Sequence, residues 1–553
     1  MKAKGLLSKI YMLCTRPVKG WFYMFVFLLN LVSNYVVTSE DNMPFTYFSV
    51  FFLSAFVAYI ESAIYVVLTK KSIKRLYVVL ITLLHSILIA CEYFLLLRFN
   101  TFLNQGIVNI IGETNREEAQ SFINTYLPPI QILVVLVLLA ALLTIIYGLS
   151  ILISKTRYTI PAFLFSLTGL GLALYGGYGF LRYRDGMSIP QHTTLTRLGY
   201  SIYQLKQKNS DIVLLRDVCK NVEASAKSSD FPTIIVIIGE SHSVYHTSLN
   251  GYEKATNPLL AERVKDGSMV VFDNAVTLHD ATSVSMAADF SLNAQGVDFA
   301  TTPLFPACFK AAGYRTMMYD NQYSIGSGIS FLSDKELSDI LFDYRNTREY
   351  QYDGDMVDDI EMSDSPTLYI IHLQGQHFDY EADYPQSFGK FRASDYDKKY
   401  NEDQRATIAH YDNATLYNDY VIDKVIQKFE HTNCCVFYFP DHGEEIYELR
   451  NYMGHGNAES SPDLNYQIRI PLLVWLSPTF TAGHPSLRQR LEEAKHYPIC
   501  ADDIGHTLLD VAGISTSAFS PSRSFVNVNY DKNRHRIVLH SIDYDEYQDR
   551  SNM

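Results

Sequence analysis

Five long apolar runs occupy the first third of the chain, at roughly residues 21–38, 45–69, 76–97, 129–154 and 159–181. Each is close to the ~20 residues a helix needs to cross a ~30 Å hydrocarbon layer. Runs of this length with almost no charge are rare in soluble cores. After about residue 230 the pattern changes. Short runs of Val, Ile and aromatic residues, at 233–238, 269–274, 316–319, 367–373, 435–439, 472–476 and 537–540, alternate with helix-like stretches. Strands apolar on both faces and separated by helices predict a mostly parallel sheet covered on both sides. The chain therefore reads as a five-span helical domain (1–181, with an outer loop at about 99–128), a mixed polar linker (182–230) and an α/β domain (231–553).

Charge sharpens this division. Residues up to Arg184 carry 15 Lys and Arg against 7 Asp and Glu, a balance of +8; the remainder carries 31 against 52, a balance of −21. Positive connections alternate with non-positive ones. Lys2, Lys4, Lys9, Arg16 and Lys19 precede the first span, Lys70, Lys71, Lys74 and Arg75 follow the second, and Lys155 and Arg157 follow the fourth. The positive-inside rule then places the N-terminus in the cytoplasm and everything after the fifth span outside it. No small-residue cleavage site follows the first span, which argues against a removable leader. Glu61 and Glu92 lie within spans, where each either faces the bundle interior or lies near an interface, the second being the slightly favoured expectation. An acidic polar part disfavours nucleic acid as a partner. Seven Cys in 553 residues exclude a disulfide-dense miniprotein.

In mostly parallel sheets ligands bind beyond the carboxyl ends of the strands. Two predicted strands end there in chemistry. One runs into Gly239-Glu240-Ser241, the other into Asp441-His442-Gly443-Glu444. Two carboxylates and an imidazole at one sheet edge make a plausible divalent-metal site of mixed O and N donors. Between them, Thr277-Leu-His-Asp-Ala-Thr282-Ser-Val-Ser-Met is rich in hydroxyls and fits the start of a helix whose first amides favour a phosphate. A hydroxyl beside a divalent metal loses its proton more easily and becomes a nucleophile. Taken alone, Thr282 reads as an ordinary helix cap. His377 follows another strand end, and His455 sits in the turn Gly454-His455-Gly456. Phosphate contacts, proton transfer and a second metal are all open to them. In the outer loop, Asn115-Arg-Glu-Glu-Ala fits the start of a short interfacial helix capped by Thr114 or Asn115.

With these residues in place, the chain resembles the membrane-bound phosphoethanolamine transferases of the alkaline phosphatase and sulfatase superfamily. The resemblance rests on Gly239-Glu240-Ser241, on Ser248-Leu-Asn-Gly-Tyr-Glu-Lys-Ala-Thr-Asn-Pro258, on Ala281-Thr282-Ser-Val-Ser285, on Asp441-His442-Gly443-Glu444 and on a closing helix over 502–513. It implies five spans in a bacterial inner membrane followed by a periplasmic alkaline-phosphatase-like (sulfatase-like) domain. Glu240, Thr282, Asp441 and His442 match the metal ligands, with zinc the implied metal and manganese compatible with the donor set. Thr282 matches the nucleophile. His377 and His455 match the phosphate and second-metal region. Thr114 and Glu118 match the outer-loop donor-lipid motif, and Asn109 stands one position from its place. The implied reaction moves phosphoethanolamine from phosphatidylethanolamine to Thr282, then to a lipopolysaccharide (lipid A or core sugar) or other surface glycan; a monomer is expected.

Several positions depart from that pattern. Leu278 and Ala288 stand where cysteines flank the nucleophile in the lipid A enzymes, so that disulfide is absent. Cys219, Cys308, Cys434, Cys435 and Cys500 are expected as mostly free, buried thiols. The lysine that follows the Asp-Asn pair is replaced by Gly326. A phosphoglycerol transferase with the same chemistry is the alternative enzyme, and an inactive membrane-anchored scaffold is the alternative class. Sulfate-ester cleavage is disfavoured, because Thr282-Ser-Val-Ser-Met lacks the C/S-x-P-x-R context of an aldehyde nucleophile.

Overall fold

The apolar runs form helices. The computed structural model describes residues 11–39, 44–99, 102–104, 107–108, 111, 122–123, 126–183, 192–226, 232–293, 299–322, 334–346, 350–456 and 458–551. These divide into two compact units, Met1–Ile111 with Phe122–Lys206, and Gly112–Ser121 with Gln207–Met553. In the first unit, α1 (Trp21–Asn34, continued by a 3-10 turn Tyr35–Ser39), α2 (Pro44–Val67), α3 (Lys71–Phe99), α4 (Pro129–Ser154) and α5 (Thr159–Tyr183) follow the five predicted spans. All five are long and apolar enough to cross a membrane. α1 is the inner helix: Phe22, Tyr23, Val26 and Leu29 are buried, whereas α4 buries little beyond Ile146 and Ser150. An outward face of Leu, Val and Ile is what a lipid-facing helix presents.

The two acids within the spans face the interior of this unit, one of the two placements the sequence leaves open. Glu61 and Glu92 are buried, at 6% and 0% exposure. Glu61 accepts from Asn30 Nδ2 at 3.0 Å and faces His85 Nε2 at 2.9 Å. Glu92 accepts from Thr194 Oγ1 (2.7 Å) and the Leu103 N–H (2.9 Å) and pairs with Arg197. A buried carboxylate without such partners is strongly unfavourable, so the sequence supplies partners from neighbouring elements. Within the stretch read as a linker lies a 27-residue helix, α6 (Thr194–Lys220).

The second unit is built on a seven-stranded sheet. Its strands are β1 (Thr233–Gly239), β2 (Met269–Phe272), β3 (Arg315–Asp320), β4 (Tyr344–Arg345), β5 (Thr367–His372), β6 (Cys434–Pro440) and β7 (Leu472–Leu476), in the order β2-β7-β6-β1-β5-β3-β4. Only β7 runs against its neighbours. Ile234, Val236 and Ile238 of β1 enter the core on one face, and Ile235 and Ile237 the core on the other. Each is fully buried, so each contributes roughly 1.5–3 kcal/mol of transfer free energy. Helices α7 (Thr282–Phe290), α8 (Glu402–Phe429), α9 (Pro485–Ala494) and α10 (Ile504–Val511) belong to this unit. A reciprocal cap between Asn401 and Gln404 fixes the start of α8. The five cysteines from Cys219 onward are all buried.

The run at 537–540 is not a strand of this sheet. Only Ile537–Val538 is extended, pairing with Ile542–Asp543 in a small hairpin. Leu539 and His540 take left-handed φ of 49° and 66°, and the Leu539 N–H turns away to the Leu278 carbonyl at 2.8 Å. β4 escaped prediction because two residues carry no readable period. At the start of α10, the carboxylates of Asp502 and Asp503 are clamped by two guanidiniums. Arg523 reaches both at 2.6 and 2.7 Å, and Arg534 both at 2.7 Å.

His246 is held between Asp412 (2.6 Å) and Glu448 (3.2 Å). Burial alone would lower its pKa, but the two carboxylates outweigh burial and push it up to about 10. A folded-state pKa above the unfolded value of 6.5 means this contribution is complete below about pH 6.5 and is lost as pH rises towards 10. The melting temperature of the detergent-solubilised chain is therefore expected to fall between pH 7 and 10. His246→Gln should flatten that slope, and an equally steep fall in the variant would remove His246 as its source.

Candidate active site

Register brings the two acids together. Gly239 of β1 lies opposite Pro440 of β6, so the next residues, Glu240 and Asp441, leave the sheet side by side. Ser241 then adopts a left-handed φ of 53°, unusual for a residue with a Cβ. The strain is over-determined by its surroundings. The Ser241 N–H donates to Asp441 Oδ1 (3.1 Å), its carbonyl accepts from Tyr411 Oη (2.5 Å), and its hydroxyl donates to Glu240 Oε1 (2.8 Å). Gly375 closes the other side. It has φ +58°, and a Cβ there would lie 2.8 Å from the Glu240 nitrogen, so only glycine lets the two loops approach.

His442 completes the cluster. Its Nδ1 donates to its neighbour's carbonyl, Gly443 O, at 2.9 Å, which turns Nε2 towards the two acids. That nitrogen lies 3.2 Å from Asp441 Oδ2 and 3.5 Å from Glu240 Oε1. Asp441 Oδ2 is buried and has no hydrogen-bond donor. One imidazole nitrogen and two carboxylates thus converge within metal-ligand reach of one another. The residues therefore fit a divalent metal of mixed O and N ligation, zinc or manganese by donor type. Electrostatics carry the same message. Burial and the charge of Glu240 push the Asp441 carboxyl well above the ordinary range. Burial would also raise Glu240, but the imidazoles of His442, His377 and His455 outweigh it and hold that carboxyl low.

Thr282 is the first residue of α7, with Ala281 in the cap position and no capping side chain. Thr282 is thus not the cap that its residue type alone suggests. Its Oγ1 lies 3.3 and 3.5 Å from the Glu240 oxygens and 3.4 Å from His442 Nε2. The hydroxyl sits where the free amides of a helix start also point, a favourable place for phosphoryl oxygens. Four chain segments hold its loop. Thr277 N–H donates to Ile468 O (2.9 Å), Thr277 Oγ1 to Asp441 O (2.8 Å), Ala458 N–H to Asp280 Oδ2 (2.7 Å), and Leu539 N–H to Leu278 O. Leu278, with Ala288 beside it, packs in an apolar cluster with Val276, Ile468, Val538, Leu539 and Tyr544.

His455 is brought to the site and His377 to its border. The His455 ring centroid is 4.0 Å from that of His442, and its Nδ1 meets Glu444 Oε2 at 2.7 Å. Tyr380 Oη donates to the other Glu444 oxygen at 2.6 Å. His377 is half-buried and close enough to influence Glu240. Asn109, Thr114 and Glu118, the segment at Asn115, and Gly326 lie outside the described residues. Sequence reading gave no role to five contributors. Gln322 donates to Glu240 Oε2 (3.0 Å) and to Leu373 O (2.9 Å), locking the carboxylate. Glu444 and Tyr380 orient His455. Asp320 and His372 end neighbouring strands in register and meet at 2.9 Å, leaving His372 Nε2 buried without a partner. Burial would raise Asp320, but Arg345 and His372 hold it well below the usual carboxylate range. The register of two predicted strands was the available signal for that pair.

Comparison with known proteins agrees with this geometry. The sulfatase family model matches residues 232–514, just over half of the chain. Phosphoethanolamine transferase EptC of Escherichia coli K12 is 30% identical over 315 residues, 54% of either chain, so the match spans about half the length of that curated relative. The crystal structure of the zinc complex of the C-terminal periplasmic domain of E. coli EptC superposes with a TM-score of 0.52 at 28% identity, covering 59% of this chain and 96% of that one. The integral membrane lipooligosaccharide phosphoethanolamine transferase EptA of Neisseria meningitidis superposes with a TM-score of 0.62, covering 91% and 97%, at 19% identity. That last likeness concerns the fold: apolar helices followed by an α/β domain.

Proposed function

The chain belongs to the sulfatase family, and on that premise we propose that it is a membrane-bound phosphoethanolamine transferase. The observation that carries this reading is the placement of Thr282 Oγ1 at the head of α7, within 3.5 Å of both Glu240 and His442. The donor is phosphatidylethanolamine and the acceptor a hydroxyl or phosphate of lipopolysaccharide or another surface glycan. The N-terminus lies in the cytoplasm, the five helices cross the bacterial inner membrane, and the α/β domain works in the periplasm as part of a monomer. The names of the relatives support the transferred group; the spacing of basic loops supports the orientation.

Transfer runs in two displacements. Thr282 Oγ attacks the donor phosphorus and the bond from phosphorus to the diacylglycerol oxygen breaks. Diacylglycerol leaves with a proton, and phosphoethanolamine remains esterified to Thr282. An acceptor oxygen then attacks the same phosphorus, loses its proton, and frees the Thr282 hydroxyl. Glu240, Asp441 and His442, with Thr282, would hold zinc, which supplies Lewis acidity at the hydroxyl and at the phosphoryl oxygens when bound. Ser241 and Gln322 keep Glu240 in one rotamer. The amides opening α7 face the phosphoryl oxygens. His455, aligned by Glu444 and Tyr380, takes the proton of the acceptor, a carboxylate–imidazole arrangement suited to general base work. His377 lies on the phosphate side of Glu240.

Thr282→Ala tests the nucleophile. Mass spectra of lipid A and core oligosaccharide from cells expressing the wild-type chain should show a phosphoethanolamine increment, and cells expressing the variant should show none. Retention of the increment in the variant would remove Thr282 from its role. A phosphoglycerol increment instead would establish the alternative enzyme, and no increment from either chain, together with no bound metal, would favour the scaffold.

A further inference from the structure

Two histidines from distant parts of the chain face each other beside the Thr282 loop. His279 stands three residues before Thr282, and His540 lies in the turn of the 537–543 hairpin. Their ring centroids are 4.6 Å apart, with the planes at 48°. The backbone bends to bring them there. Leu539 and His540 both take left-handed φ, which is unusual for residues with a Cβ. The Leu539 N–H on Leu278 O (2.8 Å) and the Ser541 N–H on Leu539 O (2.9 Å) hold that turn. On the other side, Ser285 Oγ donates to the His279 carbonyl at 3.1 Å. Main-chain bonds thus place both rings, while no hydrogen bond engages a ring nitrogen of either among the described residues. His540 is exposed and His279 half-buried, so solutes reach the pair.

The surroundings favour a cation. Burial, with His540 beside it, pushes the His279 pKa down to about 4, so at neutral pH that ring is uncharged and offers a lone pair. Asp280 is the next residue. Glu459 lies near both: burial and then the charge of Asp280 raise its carboxyl, and His540 opposes them. One Asp280 oxygen accepts from the Ala458 N–H at 2.7 Å, which draws the turn that carries Glu459 to the loop. Neither acid has a Lys or Arg partner among the described residues. Asp502, whose charge also reaches His279, is already committed to Arg523 and Arg534. An anion would meet uncompensated negative charge here. A divalent ion that accepts imidazole nitrogen and carboxylate oxygen meets the donors it prefers, and zinc is such an ion. We propose that His279 and His540 are the nitrogen ligands of a second zinc site, completed by water and by Asp280 or Glu459, that fastens the 537–543 hairpin to the Thr282 loop. With fewer charged ligands than the reaction centre it binds more weakly, and it fills when zinc is added to the purified chain. The site itself does not depend on the transferase reading; only its bearing on a nucleophile does.

Zinc titrated calorimetrically into the full detergent-solubilised chain, already holding its reaction-centre metal, tests this without turnover. One further zinc per chain is expected. His279→Gln and His540→Gln should each weaken its binding about ten-fold or more. His455→Gln, at the reaction centre, and His535→Gln, in the exposed cluster with Asp543 and Glu546, should leave it in place. Calcium, which seeks oxygen ligands, should bind at least about ten-fold more weakly. Hydrogen exchange gives a reading that needs no substitution: added zinc should slow the Leu539 amide several-fold in the wild-type chain. The proposal is overturned by no further zinc, by a further zinc indifferent to both His279→Gln and His540→Gln, by its loss with His455→Gln or His535→Gln instead, by equal binding of calcium, or by an unprotected Leu539 amide. Failure of the transferase reading shows separately, as a missing phosphoethanolamine increment in wild-type cells with the zinc titration unchanged.

Discussion

Glu240→Gln is expected to abolish metal binding and transfer. Glu240 and Asp441 emerge from adjacent strands with no donor for Asp441 Oδ2 and His442 Nε2 aimed at both. Removing one negative charge takes away part of what a divalent cation binds. Zinc content is expected to fall from about one per chain to below about 0.1, since a closed ligand set does not survive loss of a charged member. Transfer should fall on the order of 10²–10³-fold or more. Elemental analysis and turnover assays read the two losses. A variant that keeps its zinc would strike Glu240 from the ligand set.

Arg523→Ala should produce the largest loss of stability. Arg523 is 7% exposed and also donates to the carbonyls of Asn293 (2.7 Å) and Asp502 (2.8 Å). Truncation strands two buried carboxylates with Arg534 alone. Breaking a buried ion pair from one side costs about 3–5 kcal/mol. Urea unfolding followed through the fluorescence of Trp475, which is 1% exposed, provides the measurement. A loss below about 1 kcal/mol would mean that Arg534 and water carry the acids unaided.

The membrane helices and six of the sheet strands were legible because a single physical rule governs each. A span must be apolar for its whole length, and a central strand must be apolar on both faces. Glu240, Asp441 and His442 were legible because they break those runs abruptly. Side chains that act through register were harder. Asp320 and His372 each look like a strand-end residue until β3 and β5 are aligned. Gln322 carries no charge to draw attention, yet it fixes the carboxylate of Glu240. The residues at 537–540 match a strand by composition, but the Leu539 N–H finds its acceptor in the nucleophile loop rather than in a ladder. Glu61 and Glu92 could not be placed because their partners, His85, Thr194 and Arg197, come from separate elements.

The apolar cluster around Leu278 also sets an order of assembly. Glu240 and the strand that carries it are made early, and Thr282 soon after. The packing that seats the Thr282 loop needs Val538, Leu539 and Tyr544, far later in the chain. During synthesis the growing chain thus carries that hydroxyl for most of the domain's length before it is anchored. A ribosome that stalls before these residues, or a cut that removes them, leaves an unseated threonine. Only a polypeptide extended through Tyr544 holds Thr282 in place.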